Sequence, residues 1–122
     1  MGYYTYYSGN AWDKNGNEMD FVNPTNECSL VIKTLATLMQ NEYPCDTVEE
    51  LSGVIAEIFD GGSGDLKWYD YEVHMKELAK KFPEYEFELE GFGEDRGDWW
   101  IHQFYGDKDS KVFCSPPEPN LF

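Results

Sequence analysis

The sequence predicts an α+β fold, an antiparallel sheet of four or five strands with about three helices packed on one face. Two observations carry this. The middle of the chain repeats apolar residues at the spacing of one helical face, in successive blocks separated by proline and glycine breaks. After Pro83 the period changes to two, through short runs joined by turns, which is a strand meander with one dry face. Helices gathered in the middle and strands at the ends make a sheet covered on one side. A length of 122 residues suits one domain, expected over 1–115, with a proline-rich tail over 116–122.

The elements follow in order. Tyr3-Tyr4-Thr5-Tyr6-Tyr7 is rich in residues that fit a pleated surface and reads as the first strand. Asn15-Gly16 is a tight-turn dipeptide, with a second short strand expected after it. Thr25 or Asn26 can cap a helix whose stripe is Cys28, Val31, Ile32, Leu35, Leu38 and Met39. Thr47-Val48-Glu49-Glu50 reads as a capping box opening a second helix with Leu51, Val54, Ile55, Ile58 and Phe59 on its stripe. Gly61-Gly62-Ser63-Gly64 ends it in a loop. A third helix carries Tyr71, Met75, Leu78 and Phe82 and stops at Pro83, which cannot continue the hydrogen-bond ladder. Tyr85, Phe87 and Leu89 then alternate with glutamates in a strand, residues 91–98 turn, Trp99 to Tyr105 form a strand, and Lys111 to Cys114 a last short one.

Twenty-four acids against nine Lys and Arg give a net charge of −15 and both halves of the chain are acidic. Direct binding to nucleic acid or to an anionic membrane is thereby disfavoured, because both rely on a basic footprint. The expected partner is basic. Three cysteines, Cys28, Cys45 and Cys114, form neither a CxxC motif nor an even disulfide set, which fits a reducing cytoplasm, and no apolar leader or membrane span is read.

The segment Lys67-Trp68-Tyr69-Asp70-Tyr71-Glu72, with Met75, Leu78, Phe82-Pro83, Phe87-Glu88-Leu89, Gly91-Phe92-Gly93-Glu94-Asp95 and Trp100, resembles a block of small uncharacterised acidic phage and prophage proteins. Its pattern of helix, Phe-Pro stop, strand, glycine-acid turn and aromatic strand also resembles small ferredoxin-like domains of phages and plasmids. The resemblance covers about a third of the chain, leaves out its N-terminal half, and implies a mobile-element origin without any shared activity.

The candidate site is a row of carboxylates. Glu84, Glu86, Glu88 and Glu90 are expected on one strand face about 6.7 Å apart, twice the rise per residue. Glu94, Asp95 and Asp98 extend them through the turn, and Trp99 and Trp100 follow. Such a row can stand in for the phosphate charges that a nucleic-acid-binding protein expects. It is also what a solvated strand face, or a guard against edge pairing, looks like. The aromatic residues of the strands, Tyr3, Tyr4, Tyr6, Tyr7, Trp99, Trp100, Phe104 and Tyr105, leave about half their number on the uncovered face, as a homodimer or partner surface.

Other motifs point to structure. Asp13-x-Asn15-x-Asn17 opens like a calcium loop but has Glu18 where glycine is needed and Pro24 where a bidentate glutamate belongs. Arg96-Gly97-Asp98 reads as a turn. His74 and His102 share no metal-ligand spacing, although acid-base chemistry by Glu94 or Asp95 with His102 is conceivable. The expected function is a non-enzymatic inhibitor, of the anti-CRISPR or anti-restriction type, occupying the basic groove of a host nuclease or other nucleic-acid-handling protein. No cofactor, metal or catalytic residue is expected. The alternatives are a small carboxylate-based metal-dependent hydrolase and a homodimeric interaction module.

Overall fold

The computed structural model of the chain describes residues 5–21, 25–60, 62–66, 68–93 and 99–114. Tyr3, Tyr4, the Arg96-Gly97-Asp98 tripeptide and the tail expected over 116–122 lie outside the described residues. Eight elements run in the order β1 (Thr5–Trp12), α1 (Asn26–Met39), α2 (Val48–Ile58), β2 (Ser63–Leu66), α3 (Tyr71–Lys81), β3 (Glu86–Gly93), β4 (Trp99–Tyr105) and β5 (Lys108–Cys114). The sheet has the order β2-β1-β3-β4-β5, and each neighbouring pair is antiparallel. This is the α+β architecture expected from the sequence.

The helices start where local chemistry places them. The Thr25 side chain accepts from the Cys28 backbone N–H at 3.3 Å, satisfying one donor of the first turn of α1. At α2 the capping box closes in both directions, with Glu50 N–H donating to Thr47 Oγ1 at 3.1 Å and Thr47 N–H to Glu50 Oε1 at 3.2 Å. Helix α3 ends at Lys81, with Phe82 as its C-cap just ahead of Pro83.

Besides β5, which begins at Lys108 where Lys111 was expected, three strands differ from the sequence reading. Strand β1 continues past Tyr7 to Trp12, and the loop beyond it returns only as a single bridge, Trp12 to Glu18, where a second strand was expected. That loop is closed by Asp13, whose Oδ1 accepts the N–H groups of Asn15 and Asn17, while Gly16 supplies a positive φ of 81°. The Asp13 carboxylate is therefore a turn cap. Residues 63–66, read as loop, form β2 on the edge of β1, with Thr5 opposite Leu66 and Tyr7 opposite Ser63. Backbone pairing, not side-chain propensity, makes this strand.

The third difference is β3, which runs through Gly91 to Gly93 where a turn was expected. Gly91 lies opposite Trp100, and the indole occupies the space that a Cβ at Gly91 would fill. Gly9 does the same for the ring of Phe59. Glycine here is a seat for an aromatic ring and not a strand terminator.

One sheet face is dry. Tyr7, Ala11, Phe87, Leu89, Trp100, His102 and Phe104 are buried on it against the α1, α2 and α3 residues Leu35, Met39, Ile55, Ile58, Met75 and Leu78. Tyr71 of α3 stacks on Trp100 with ring centres 4.6 Å apart and planes 13° apart, and Tyr7 meets Trp68, Tyr71 and Trp100 edge-on or tilted.

Strand alternation sends Trp100 into this core, 5% exposed, and its neighbour Trp99 to the opposite face, so the two tryptophans should behave differently. Trp100→Ala is expected to cost about 3 to 5 kcal/mol of unfolding free energy. Trp99→Ala, which loses one hydrogen bond and one ring contact, should cost about 1 kcal/mol. Urea titrations of the two variants measure this, and equal losses would refute the assignment of faces.

Candidate functional site

The sheet face away from the helices has no covering element among the described residues. Its residues fall into cross-strand rows fixed by the register. Tyr6, Phe92, Trp99 and Cys114 form the row at one end. Ser8, Glu90, Ile101 and Val112 come next, then Asn10, Glu88, Gln103 and Ser110, and finally Trp12, Glu86, Tyr105 and Lys108. Aromatic rows thus stand at both ends, and carboxylates line the middle strand between them.

Glu86, Glu88 and Glu90 share this face, as the alternation required. Two of them are tied across the strands: Trp99 Nε1 donates to Glu90 Oε2 at 2.7 Å, and Gln103 Nε2 to Glu88 Oε2 at 3.2 Å. The Trp99 ring also stacks on Phe92 at 5.1 Å. Glu86 is exposed, and Glu84 lies one turn earlier, in the tight turn after Pro83, so it belongs to the end of the row and not to the strand. Glu94, Asp95 and Asp98 lie outside the described residues. Trp100 is corrected out of the surface set, because it is core and sits under Tyr71.

The sequence reading missed Trp12, and it counted Tyr105 among the strand aromatics without placing it beside the glutamates. Both face the open side in the row of Glu86, and together they line a hollow of about 230 Å³ with Asp13, Lys14, Gly16, Glu84 and Glu86. A smaller hollow of about 100 Å³ shares Trp12, Glu86 and Tyr105. The spacing along one strand reveals a row of glutamates, but only the register across three strands reveals what flanks it.

Two buried histidines make the chemistry of the covered side. His102 is 1% exposed, and both of its nitrogens are engaged. Nε2 lies 2.7 Å from Asp109 Oδ2 and Nδ1 lies 3.1 Å from the Tyr71 hydroxyl. The hydrogen bond from His102 holds the Asp109 carboxyl below the usual carboxylate range, with Lys76, 3.9 Å away, acting in the same sense. The order Asp, His, Tyr is that of an orienting acid, a base and a nucleophile. Here the histidine ring is sealed against Phe104 at 4.1 Å, and the Tyr71 ring is stacked on Trp100 with the Lys111 ammonium 5.6 Å from its centre. The chain of bonds ties α3 to β4 and β5.

Among the described residues, one group of three, Glu42, Asp70 and His74, brings potential metal ligands together. Its bonding is that of a helix cap. Both Glu42 oxygens accept backbone N–H groups, from Tyr69 and Asp70, each at 2.9 Å, at the positive end of α3, where a carboxylate is favoured and a cation is not. His74 Nδ1 accepts the Trp68 indole N–H at 2.9 Å, so in the neutral ring the other nitrogen carries a proton and is a donor. This donor set fits a capped helix better than a metal centre.

Burial pushes the His74 ring below its ordinary 6.5, although Glu42 and Asp70 pull the other way. Because the folded value is depressed, the unfolded chain binds the proton first. The stability His74 contributes is complete above 6.5 and is lost as the pH falls through the folded value. His74→Gln keeps an acceptor for Trp68 and does not titrate. Between about pH 7 and about pH 5, the wild-type melting temperature should therefore fall more than that of the variant. Parallel curves would show that this ring is not desolvated.

Compared with known proteins, the chain matches no family model, no curated protein and no solved structure, so its fold and surface are what a functional reading has to rest on.

Proposed function

We propose that the chain is a non-enzymatic binding protein that meets a basic partner with the open face of its sheet. The observation that carries this is the line of Glu86, Glu88 and Glu90 on the central strand of a face with aromatic rows at both ends. Aromatic side chains supply most of the binding energy in interfaces, and complementary charge supplies orientation and association rate. Tyr6, Phe92, Tyr105 and Val112 are large apolar side chains exposed on this one face. A net charge of −15 points the same way.

In its specific form, the protein is an inhibitor of mobile-element origin that occupies the basic groove of a nucleic-acid-handling protein, its carboxylates standing where phosphates would. Two features support it: the carboxylates held in line by Trp99 and Gln103, and the resemblance of the block from Lys67 to Trp100 to phage proteins. A symmetric homodimer through this face is less favoured, because it would set one row of glutamates against its own copy. The hydrolase reading is less favoured because both His102 nitrogens are used within the fold, and the Glu42 group acts as a cap.

Affinity capture from one cell extract with wild-type and E86K/E88K protein tests the reading, followed by association rates on the captured protein. Both substitutions lie on the open face, so melting temperatures should match. The variant should bind at least about ten-fold more weakly, and the wild-type association rate should fall with added salt. Adding the wild type should also release nucleic acid from the captured protein. If the affinity survives the double reversal, the carboxylate face is not the binding surface.

A further inference from the structure

From the hollow at the Trp12 end of the open face, we infer a binding site for a single cationic side chain, an arginine presented by the partner. The inference rests on the reading of this face as a partner surface and names the place where that partner is anchored. Trp12, Glu86 and Tyr105 stand in one cross-strand row on three adjacent strands. Strands lie about 4.8 Å apart, so the two aromatic residues rise from backbones about 9.6 Å apart, with a carboxylate between them. That is a slot with aromatic walls and an acidic floor.

The chemistry of the lining selects a cation. Of the charged residues around the hollow, Asp13, Glu84 and Glu86 are acids and Lys14 is the one base. Among the described residues Lys14 makes no ion pair, and the carboxylates of Glu84 and Glu86 accept no hydrogen bond, in contrast to those of Glu88 and Glu90. Aromatic rings such as those of Trp12 and Tyr105, which line the hollow, attract a cation, with Trp the better of the two. The size selects one side chain, because about 230 Å³ lies below the range of pockets that hold a nucleotide or a drug-sized ligand. A planar guanidinium fits between two rings and can meet a carboxylate with two parallel hydrogen bonds, which a lysine ammonium cannot do.

The backbone on either side of the hollow is in place before any ligand arrives. Asp13 accepts from Asn15 and Asn17 through Oδ1, and its own N–H donates to Asn17 at 2.9 Å, which fixes the loop beside Trp12. On the other side, the turn that carries Glu84 is pinned by Tyr85, whose ring stacks on Phe82 and whose hydroxyl donates to Glu27 at 2.9 Å. A slot that does not have to order itself on binding keeps more of its contact energy as affinity.

The test titrates the folded protein with Nα-acetyl-arginine methylamide and follows the Trp12 indole N–H signal by NMR, with the citrulline analogue as an uncharged match in shape. The arginine probe should shift that signal with a dissociation constant of roughly millimolar size, and the citrulline probe should leave it in place. Glu86→Gln should weaken the arginine probe about ten-fold and Tyr105→Ser about three-fold, while Glu57→Gln, on α2 and away from the open face, should leave it unchanged. Equal binding of the citrulline probe, or arginine binding that ignores Glu86→Gln, overturns the site. The outcome is separable from that of the surface as a whole. A protein that binds arginine here while E86K/E88K retains its captured partner disproves the partner surface alone, and one that loses its partner without ever binding the probe disproves the anchor alone.

Discussion

Tyr71 decides how the two layers meet. It opens α3, lays its ring flat on Trp100 of β4, and passes a hydrogen bond through His102 to Asp109 on β5. One residue thus fastens the helix to an inner strand and, through a histidine, to the edge strand beyond it. The Lys111 ammonium then covers the same group of rings, 4.9 Å from Trp100 and 5.0 Å from Phe113. With Trp100 and His102 committed to the helices, every alternate residue of β4 is committed to the other side. The open face, and the row of Trp99, Ile101, Gln103 and Tyr105 on it, follows from that commitment.

The parts of the fold legible in the sequence are those whose causes are local. The stripe of α1 and the capping box of α2 act within a few residues and appear as spacing alone. The parts that were not legible depend on residues far along the chain. Gly91 reads as a turn until Trp100 is placed across from it, and residues 63–66 read as loop until the free edge of β1 supplies their partner. The alternation of Glu86, Glu88 and Glu90 was visible at period two, whereas their flanking rings were not. Trp12 lies on β1 and Tyr105 on β4, and no spacing along the chain joins them to Glu86.

The covered side also accounts for residues that a sequence reading is tempted to call reactive. His74 and His102 are the two histidines of the chain, and each is held by partners inside the fold, His74 by Trp68 at Nδ1 and His102 by Tyr71 and Asp109 at its two nitrogens. Buried polar groups satisfied in this way specify one packing of the helices on the sheet, because a shifted helix would leave an indole or an imidazole without its bond. Their chemistry is used up in holding the layers together.

A charge of −15 is not all of one kind. Glu27, Glu49, Glu50 and Glu72 sit in first turns of helices, where the exposed N–H groups favour a carboxylate, and Lys80 and Lys81 sit in the last turn of α3, where the carbonyls favour a cation. Asp13, Glu42 and Asp109 accept hydrogen bonds that close a loop, a helix entrance and an edge strand. These acids have structural reasons. Glu84 and Glu86 do not, since their carboxylates cap no helix and accept no hydrogen bond from a described residue, and strand geometry places Glu86 within about 7 Å of Glu88, where like charges repel. A cation drawn between Trp12 and Tyr105 would relieve that repulsion, and the same carboxylate that costs the isolated protein stability would then favour the complex.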